Sequence, residues 1–296
     1  MIITRKETFA ACYQDALTNI VDSPEFQTRP RGINCFEAIG SVIEILDPAK
    51  ALYENDTRGT QLAYVASELI WYFSGSKITA DITPYASFWN QIQDENGEAN
   101  SAYGNLIFQE QNEHGFSEWQ WAYQSLLADS DTRQAILRFN KPVHSKQGVK
   151  DFPCTMYGIF HIRENKLFFS LHMRSNDLIL GTPTDIAFFT VLQLQMLELL
   201  QKSMPDLELG SYIHYADSMH VYEKHYALVK NMLKTSIKPV TWQDSIDSIG
   251  MVDETGQPTE VCKQLYSGMQ EQDWSDMEIN RHDKTMAAWI LSKLEK

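Results

Sequence analysis

Residues 155–174 restrict the possible folds of this chain more than any other segment. They contain YGIFHIR and KLFFSLHMR, two runs rich in β-branched and aromatic residues, separated by a turn at Glu164-Asn165. This pattern predicts a β-hairpin. A long apolar helix, IAFFTVLQLQMLELL, follows a G-T-P-T-D sequence, with Thr182 predicted as its N-cap and Pro183 as its first helical residue.

The rest of the chain shows further helical and strand periodicities. Helices are predicted at 6–21, 60–73, 116–128 and 220–233 and from Arg281 onwards, strands at 33–46, 134–140 and 210–216, and a turn at Asn96-Gly97 within the turn-rich segment 88–107. Residues 240–275 are weakly patterned, and the acidic stretch near 273–278 is expected to be solvated. Because strands and helices mix without strict alternation, the predicted class is α+β.

Charge and composition exclude several kinds of protein. The net charge of −14 argues against broad contact with nucleic-acid polymer, which requires a basic surface. No segment approaches the about 18 apolar residues of a membrane span, and the N-terminus lacks the apolar core of a signal peptide. The four cysteines have no C-x-x-C spacing, so neither a metal site nor a disulfide framework is predicted. A cytoplasmic location is expected.

Cys154 and Arg174 bracket the predicted hairpin. Adjacent strands would place the two side by side, where the arginine would lower the thiol pKa and bind phosphate. A thiolate that adds to C6 of a pyrimidine turns C5 into a nucleophile able to accept a one-carbon unit. A lone cysteine is more often a packing residue, so the surrounding motifs decide.

Those motifs together resemble the thymidylate synthase family from about Arg29 to Tyr222. They are R-P-R-G near Arg31, S-E-L-I-W around Glu68, F-W at Trp89 followed by D-E-N-G, A-Y-G at Tyr103, D-T-R at Arg133, P-C-T at Cys154, R-S-N-D at Arg174, G-T-P-T-D-I-A at Asp185 and H-V-Y at His220. The resemblance implies a mixed β-sheet flanked by helices and a sheet-to-sheet homodimer. It also implies one catalytic domain over 1–296, with a family-like core at about 29–233 and a divergent segment at 240–296.

The resemblance further implies a role for each matching residue. The catalytic residues are the nucleophile Cys154, the proton-relaying and water-organising Glu68, Tyr103, which helps remove the C5 proton, and the base-reading Asp185. The nucleotide ligands are Arg174 and Ser175 for phosphate, Arg133 acting in the partner's phosphate site, either Arg29 or Arg31, and His220 with Tyr222 at the sugar 3′-hydroxyl. The residues beside the co-substrate, 5,10-methylenetetrahydrofolate, are Trp89, Asp177 and Gly181.

Asp185 is the most informative departure from the family, because thymidylate synthases carry asparagine there. An amide matches N3–H and O4 of uracil, whereas a carboxylate can accept from N4–H of cytosine and stabilise a protonated N3. The other departures are Gln134, Thr155, Met173 and Ile92 in place of the family's arginine, histidine, glutamine and second tryptophan. The family's usual C-terminal closing segment has no match.

Within the family the chain is most similar to the deoxycytidylate hydroxymethylases of phages. It shares with them N-S-x-Y-G, D-F-x-C-T and M-R-S-N-D at 100–104, 151–155 and 173–177. The implied reaction is hydroxymethylation of deoxycytidylate at C5. The alternatives are methylation of deoxycytidylate or deoxyuridylate, cytidylate as the substrate, and a non-catalytic nucleotide-binding relative.

Each candidate residue also has a simpler structural explanation. Asp185 could complete a capping box with Thr182, and Glu68 could be a partly exposed edge residue. Arg174 could pair only with Asp177, and His220 could be a structural histidine. Trp89, Tyr103 and Tyr222 could be core aromatics.

Overall fold

The computed structural model describes residues 1–242, 246–275 and 277–295. Its strands are β1 (Ile3–Lys6), β2 (Phe26–Thr28), β3 (Cys35–Ile45), β4 (Leu52–Glu54), β5 (Ile136–Arg138), β6 (Thr155–Arg163), β7 (Lys166–Met173), β8 (Asn176–Asp177), β9 (Glu208–Tyr222) and β10 (Lys238–Val240). Its α-helices are α1 (Phe9–Asp22), α2 (Leu62–Phe73), α3 (Thr79–Ile82), α4 (Trp89–Ile92), α5 (Glu118–Ala128), α6 (Thr182–Gln201), α7 (Tyr226–Met232), α8 (Glu260–Glu271) and α9 (Met286–Leu294). The predicted α+β class is confirmed.

Eight of the described strands form one mixed sheet in the order β1-β3-β9-β7-β6-β5, with β2 beside β3 and β8 beside β9. The pairs β1–β3, β7–β9 and β8–β9 are parallel, and the remaining pairs of this sheet are antiparallel. Strands β4 and β10 form a separate antiparallel pair. The long strand β9 therefore lies between β3 and β7 and brings its C-terminal end beside β8.

The predicted hairpin is β6–β7, joined at Glu164 and Asn165. These two residues have φ of 50° and 58°, the left-handed conformation that two-residue hairpin turns use because it matches the strand twist. The hairpin register pairs Thr155 with Met173, so the chain enters β6 and leaves β7 at one end of the sheet. Cys154 and Arg174 flank that end.

Helix α6 forms the centre of the core and is buried on nearly every side. It packs against β7 and β9, and α2 packs against it. The prediction that Thr182 caps α6 is wrong, because the helix begins at Thr182 and its N-cap is Gly181. The Thr182 hydroxyl instead donates to the side chain of Asn176, a partner that sequence spacing does not reveal.

Two further boundaries differ from the sequence prediction. The segment 220–233 was expected to be helical, yet β9 continues to Tyr222 and α7 begins only at Tyr226. Pairing with β3, where Tyr222 lies opposite Cys35, outweighs the local helical pattern. Because β9 extends this far, His220 and Tyr222 stand two residues apart on one strand, and their side chains project to the same side of the sheet.

The weakly patterned region after 240 contains helix α8. Its N-cap Thr259 accepts a hydrogen bond from Cys262 N, and its buried side is narrow, with Cys262, Leu265 and Met269. This helix and α9 both pack against α2. Part of the acidic stretch near 273–278 lies outside the described residues. No helix in the described part of the chain is long and apolar enough to cross a membrane.

Candidate active site

Cys154 lies directly before β6, and its position is fixed by Arg174. The main-chain N–H of Arg174 donates to Cys154 O at 2.9 Å, and its Nη2 lies 3.6 Å from the sulfur. The guanidinium also donates to the carbonyl oxygens of Phe152 and Pro153, at 2.7 and 3.0 Å. The predicted juxtaposition of thiol and cation is confirmed. Among the ion pairs of the described residues, none joins Arg174 to Asp177.

Burial raises the pKa of the Cys154 thiol, although the Arg174 charge opposes this effect. The predicted effect of Arg174 is present, since its charge lowers the pKa of the thiol, but the net pKa lies above its ordinary value because desolvation outweighs this single cation. The nearby carboxyl groups of Asp185 and Asp151 also disfavour the thiolate, whereas Arg31 favours it. The thiol is protonated near neutral pH and ionises only when another group accepts its proton.

Tyr103 lies beside the nucleophile. Its hydroxyl accepts a hydrogen bond from Thr155 N at 3.3 Å. Two of the motifs named above meet here, since Ser101 donates to Asp151 through both its main chain and its hydroxyl, at 2.7 and 2.8 Å. A Cβ at Gly104 would stand 1.7 Å from the carbonyl oxygen of Tyr72, so only glycine permits this approach of the Tyr103 segment to α2.

Glu68 is buried at 6% exposure on α2. Its Oε1 accepts a 2.7 Å hydrogen bond from the hydroxyl of Tyr64, which itself accepts from Trp89 Nε1 at 3.1 Å. Burial raises the pKa of Glu68 to about 8; the charge of Asp185 adds to this effect and the Tyr64 hydrogen bond opposes it. The structure therefore excludes the edge-residue explanation for Glu68. A buried carboxyl group that titrates near neutral pH is suited to proton transfer.

Asp185 is half-buried in the first turn of α6. Its Oδ2 accepts a 2.7 Å hydrogen bond from Asn176 Nδ2, and its capping-box interaction with Thr182 is not formed. Burial raises the pKa of Asp185 to about 7. A Cβ at Gly181 would lie 3.0 Å from Asp185 Oδ2 and 3.2 Å from Asn176 Nδ2, so a side chain there would crowd this pair.

His220, Tyr222 and Asp177 gather where β8 pairs with β9. The rings of His220 and Tyr222 lie 5.1 Å apart, and Asp177 is opposite His220 in the strand register. Two buried polar atoms, His220 Nδ1 and Asp177 Oδ2, have no hydrogen-bond partner within the described residues. Buried polar atoms are normally paired, so these two are available to a ligand.

Arg31 and Arg29 differ in their relation to this cluster. The charge of Arg31 acts on both Cys154 and Tyr222, where it lowers the pKa of the thiol and of the phenol. Arg29 instead donates from Nε to Gly32 O at 3.0 Å. Both side chains are exposed, but the electrostatics favour Arg31 as the residue that faces the nucleophile.

Arg133 and Ser175 are the two remaining predicted phosphate ligands. Ser175 is half-buried between β7 and β8, next to Arg174. Arg133 is exposed, and its side chain makes no hydrogen bond or ion pair with any residue that the structure describes. The structure therefore does not bring Arg133 into contact with the site residues of its own chain.

Sequence reasoning missed Tyr64 and gave no role to Asn176. Tyr64 stands four residues before Glu68, the spacing at which side chains meet on a helix, so the i,i+4 rule was a usable signal. Asn176 lies inside the R-S-N-D motif. Its partners Thr182 and His214 come from different elements, and no local pattern connects them.

Comparison with known proteins identifies the family to which this chain belongs. The family model for thymidylate synthase matches residues 11–249. The chain belongs to the thymidylate synthase family. The fold agrees: thermostable thymidylate synthase A from Bacillus subtilis superimposes with a TM-score of 0.63 over 77% of this chain and 84% of that one, at 19% identity.

Relatives within the family are one-carbon transferases. The deoxycytidylate 5-hydroxymethyltransferases of Enterobacteria phages T4 and T6 are each 29% identical to this chain, over 75% and 74% of its length and 89% of theirs. The deoxyuridylate hydroxymethyltransferase of Bacillus phage SP01 is 27% identical over 72% of this chain and 57% of that protein. These relatives share hydroxymethyl transfer in their names and differ in the base.

Proposed function

We propose that this protein hydroxymethylates deoxycytidylate at C5 with 5,10-methylenetetrahydrofolate and water, releasing tetrahydrofolate. The observation that carries this proposal is the Asp185 carboxyl group, which Asn176 holds near Cys154 where it does not act as a helix cap. The whole of 1–296 would serve as one catalytic domain. The relatives named above supply the reaction class, and Asp185 supplies the choice of base.

The covalent step begins with the thiol of Cys154. Its sulfur adds to C6 of the ring as N3 gains a proton, which leaves C5 as an enamine carbon. Because burial raises the thiol pKa, the proton must pass to a neighbouring group when the nucleotide binds. A phosphate held by Arg174, Ser175 and Arg31 would place C6 against the sulfur.

Asp185 would recognise the cytosine ring. One carboxylate oxygen accepts from N4–H, and the ionised group stabilises N3–H once the sulfur has added. In uracil the carbonyl O4 would face the carboxylate without a proton between them. Buried, unpaired acceptors of this kind discriminate strongly between related substrates.

The folate would supply the one-carbon unit at the oxidation level of formaldehyde. The unpaired Asp177 Oδ2 offers an acceptor to a donor on its ring, and Trp89 offers an aromatic surface. After C5 has bonded to that carbon, loss of the C5 proton would break the bond between the carbon and the folate nitrogen, which releases tetrahydrofolate and leaves an exocyclic methylene. Water must add to this methylene before the sulfur leaves C6. Glu68, which accepts a hydrogen bond from Tyr64, would take the proton of that water.

The enzyme would act as a homodimer in which Arg133 serves the partner's phosphate. Its side chain is exposed and makes no contact with its own site. A cation that is free in one chain can complete a phosphate site in a second copy.

Product analysis tests the proposal. Deoxycytidylate, cytidylate and deoxyuridylate are each incubated with enzyme and methylenetetrahydrofolate, and the nucleotide mass and the folate product are determined. We expect deoxycytidylate to gain CH₂O with release of tetrahydrofolate. Gain of CH₂ with dihydrofolate would indicate a methylase, and a preference for deoxyuridylate would refute the assignment of the base.

A non-catalytic relative would turn over none of these substrates. In that case a nucleotide–folate–enzyme adduct, detected by intact-protein mass spectrometry, should also be absent. An adduct that forms and disappears with turnover supports the covalent mechanism.

A further inference from the structure

A line of polar side chains lies behind Asp185 and crosses the core from β9 to α6. The Tyr212 hydroxyl lies 2.9 Å from His214 Nδ1, and His214 Nε2 lies 3.1 Å from Asn176 Oδ1. Asn176 Nδ2 then donates to Asp185 at 2.7 Å. Tyr212 and His214 are completely buried, and Asn176 is 3% exposed.

The orientation of the Asn176 amide, with its oxygen towards His214, sets the direction of each hydrogen bond in this line. Burial lowers the pKa of His214 to about 3, so its imidazole is neutral and carries one N–H. Burial also raises the pKa of Tyr212 well above its usual value, so the phenol keeps its proton. Tyr212 therefore donates to Nδ1, and Nε2–H donates to the Asn176 carbonyl oxygen.

Thr182 favours the orientation in which the Asn176 amide oxygen faces His214. Its hydroxyl donates to the same Asn176 Oδ1 that accepts from His214. In the reversed orientation the amide oxygen would face the ionised Asp185 carboxylate with no proton between them. The orientation in the structure instead presents the Asn176 N–H group to that carboxylate.

Asp185 has mainly acidic and phenolic neighbours. The titratable groups whose charge acts on it, or on which it acts, are Glu68, Tyr64 and Tyr72 on α2, Tyr103, Cys154, Asp177 on β8 and Tyr212 on β9. None of them is a cation. The Asn176 N–H group donates the hydrogen bond that favours the charged form of Asp185.

We propose, resting on the cytosine-reading function above, that Asn176 is a positioning residue that orients the Asp185 carboxyl group and favours its ionised form. Ionisation controls the choice of base. An ionised carboxylate accepts only, so it fits cytosine and repels O4 of uracil. A neutral carboxylic acid both donates and accepts, so it pairs with either ring.

The preference for cytosine must therefore rise with pH as Asp185 loses its proton. The pKa of this group is raised to about 7, so the ratio of kcat/KM for deoxycytidylate to that for deoxyuridylate increases through neutral pH. Without the Asn176 donor the charged form is less stable, and the rise occurs at higher pH. Because both substrates use Cys154 and Glu68, their ionisation cancels from the ratio.

The experiment measures this ratio from pH 5.5 to 9 in the wild type and in Asn176→Ala, sampling about one unit or more on each side of the expected midpoint. We expect the midpoint to move upward by about one pH unit, with about a tenfold lower ratio near neutral pH. Thr182→Val, which keeps the side-chain shape and removes one donor to Asn176, should move the midpoint in the same direction by less. If Asn176→Ala does not fold, the shift measured in Thr182→Val tests the role of Asn176 in its place.

Gln193→Leu is the matched control, because Gln193 is a buried amide on α6 that binds the main-chain oxygens of Leu167 and Gly210. In this variant the pH midpoint of the kcat/KM ratio should equal that of the wild type. A wild-type preference for deoxyuridylate at every pH would overturn the proposed function and this inference together. If the wild type prefers cytosine, but the pH midpoint of the kcat/KM ratio in Asn176→Ala and in Thr182→Val equals that of the wild type, only the role of Asn176 would be overturned.

Discussion

Arg174 contacts Cys154 with both its main chain and its side chain. The N–H to O hydrogen bond of 2.9 Å fixes the end of the hairpin, and the guanidinium Nη2 lies 3.6 Å from the sulfur. One residue thus sets both the position of the nucleophile and the charge beside it. The same guanidinium is within reach of a phosphate brought to the thiol.

Cys154→Ser should abolish turnover and leave nucleotide binding nearly unchanged. A serine hydroxyl without a strong base beside it is a far weaker nucleophile than a thiolate. Steady-state rates and equilibrium binding of deoxycytidylate measure the two effects. Cys262→Ala, which changes a buried cysteine of α8, should retain activity. Turnover of Cys154→Ser within tenfold of the wild type would rule out the covalent route.

Glu68→Gln should lower the rate of hydroxymethyl product formation by about 10²–10⁴. The amide keeps the shape of the side chain and can still accept from Tyr64, but it cannot take up a proton. The measurement is kcat at saturating nucleotide and folate. An unchanged rate would reduce Glu68 to a structural residue.

Tyr64→Phe should shift the pH dependence of the Glu68 step to higher pH. Burial already raises the pKa of Glu68 to about 8, and the Tyr64 hydroxyl opposes that rise. Its removal raises the pKa further, so the ionised base appears only at higher pH. The pH profile of kcat checks this, with Tyr123→Phe on α5 as the control phenol. Identical profiles for Tyr64→Phe and the wild type would contradict it.

Arg31→Ala should raise the KM for deoxycytidylate by about 10–100-fold, because it removes a charged contact to phosphate. Arg29→Ala should change it much less, since the Arg29 side chain is bound to Gly32 O. Steady-state kinetics of both variants distinguish the two arginines. An equal loss in both would mean that the turn as a whole, and not Arg31, binds phosphate.

Asp185→Asn should lower kcat/KM for deoxycytidylate and raise it for deoxyuridylate. An amide restores the donor and acceptor that match uracil, and sites of this kind discriminate by about 10⁴. A complete switch is not expected, because Met173 and Thr155 also depart from the uracil-reading pattern. If the wild type prefers cytosine and the ratio does not move in the variant, Asp185 does not read the base.

Local patterns predicted much of the fold. The hairpin, α1, α2 and α5 have clear periodicity or turn residues, and the structure has them within a few residues of the predicted bounds. The end of β9 and the start of α6 were wrong because long-range partners decide them. His220 pairs across to Glu37, and Thr182 binds Asn176. Neither contact leaves a signal in the neighbouring sequence.

The candidate site likewise contains residues that local motifs predicted and residues that only long-range contacts determine. Motifs identified Cys154, Glu68 and Asp185, since each stands in a short segment with a recognisable order. The residues that orient them come from elsewhere in the fold. His214 reaches Asp185 only through Asn176, and the effect of burial on the Cys154 thiol depends on packing that no motif encodes.

The close approach of Gly104 to the Tyr72 carbonyl oxygen has a mechanical consequence. Tyr72 is one turn beyond Glu68 on α2, and Tyr103 binds the main chain next to Cys154. The acid and the thiol are thus anchored to one rigid junction instead of to two independent loops. Motion that separates them must open the core, so the catalytic geometry is expected to be lost together with the native fold and not before it.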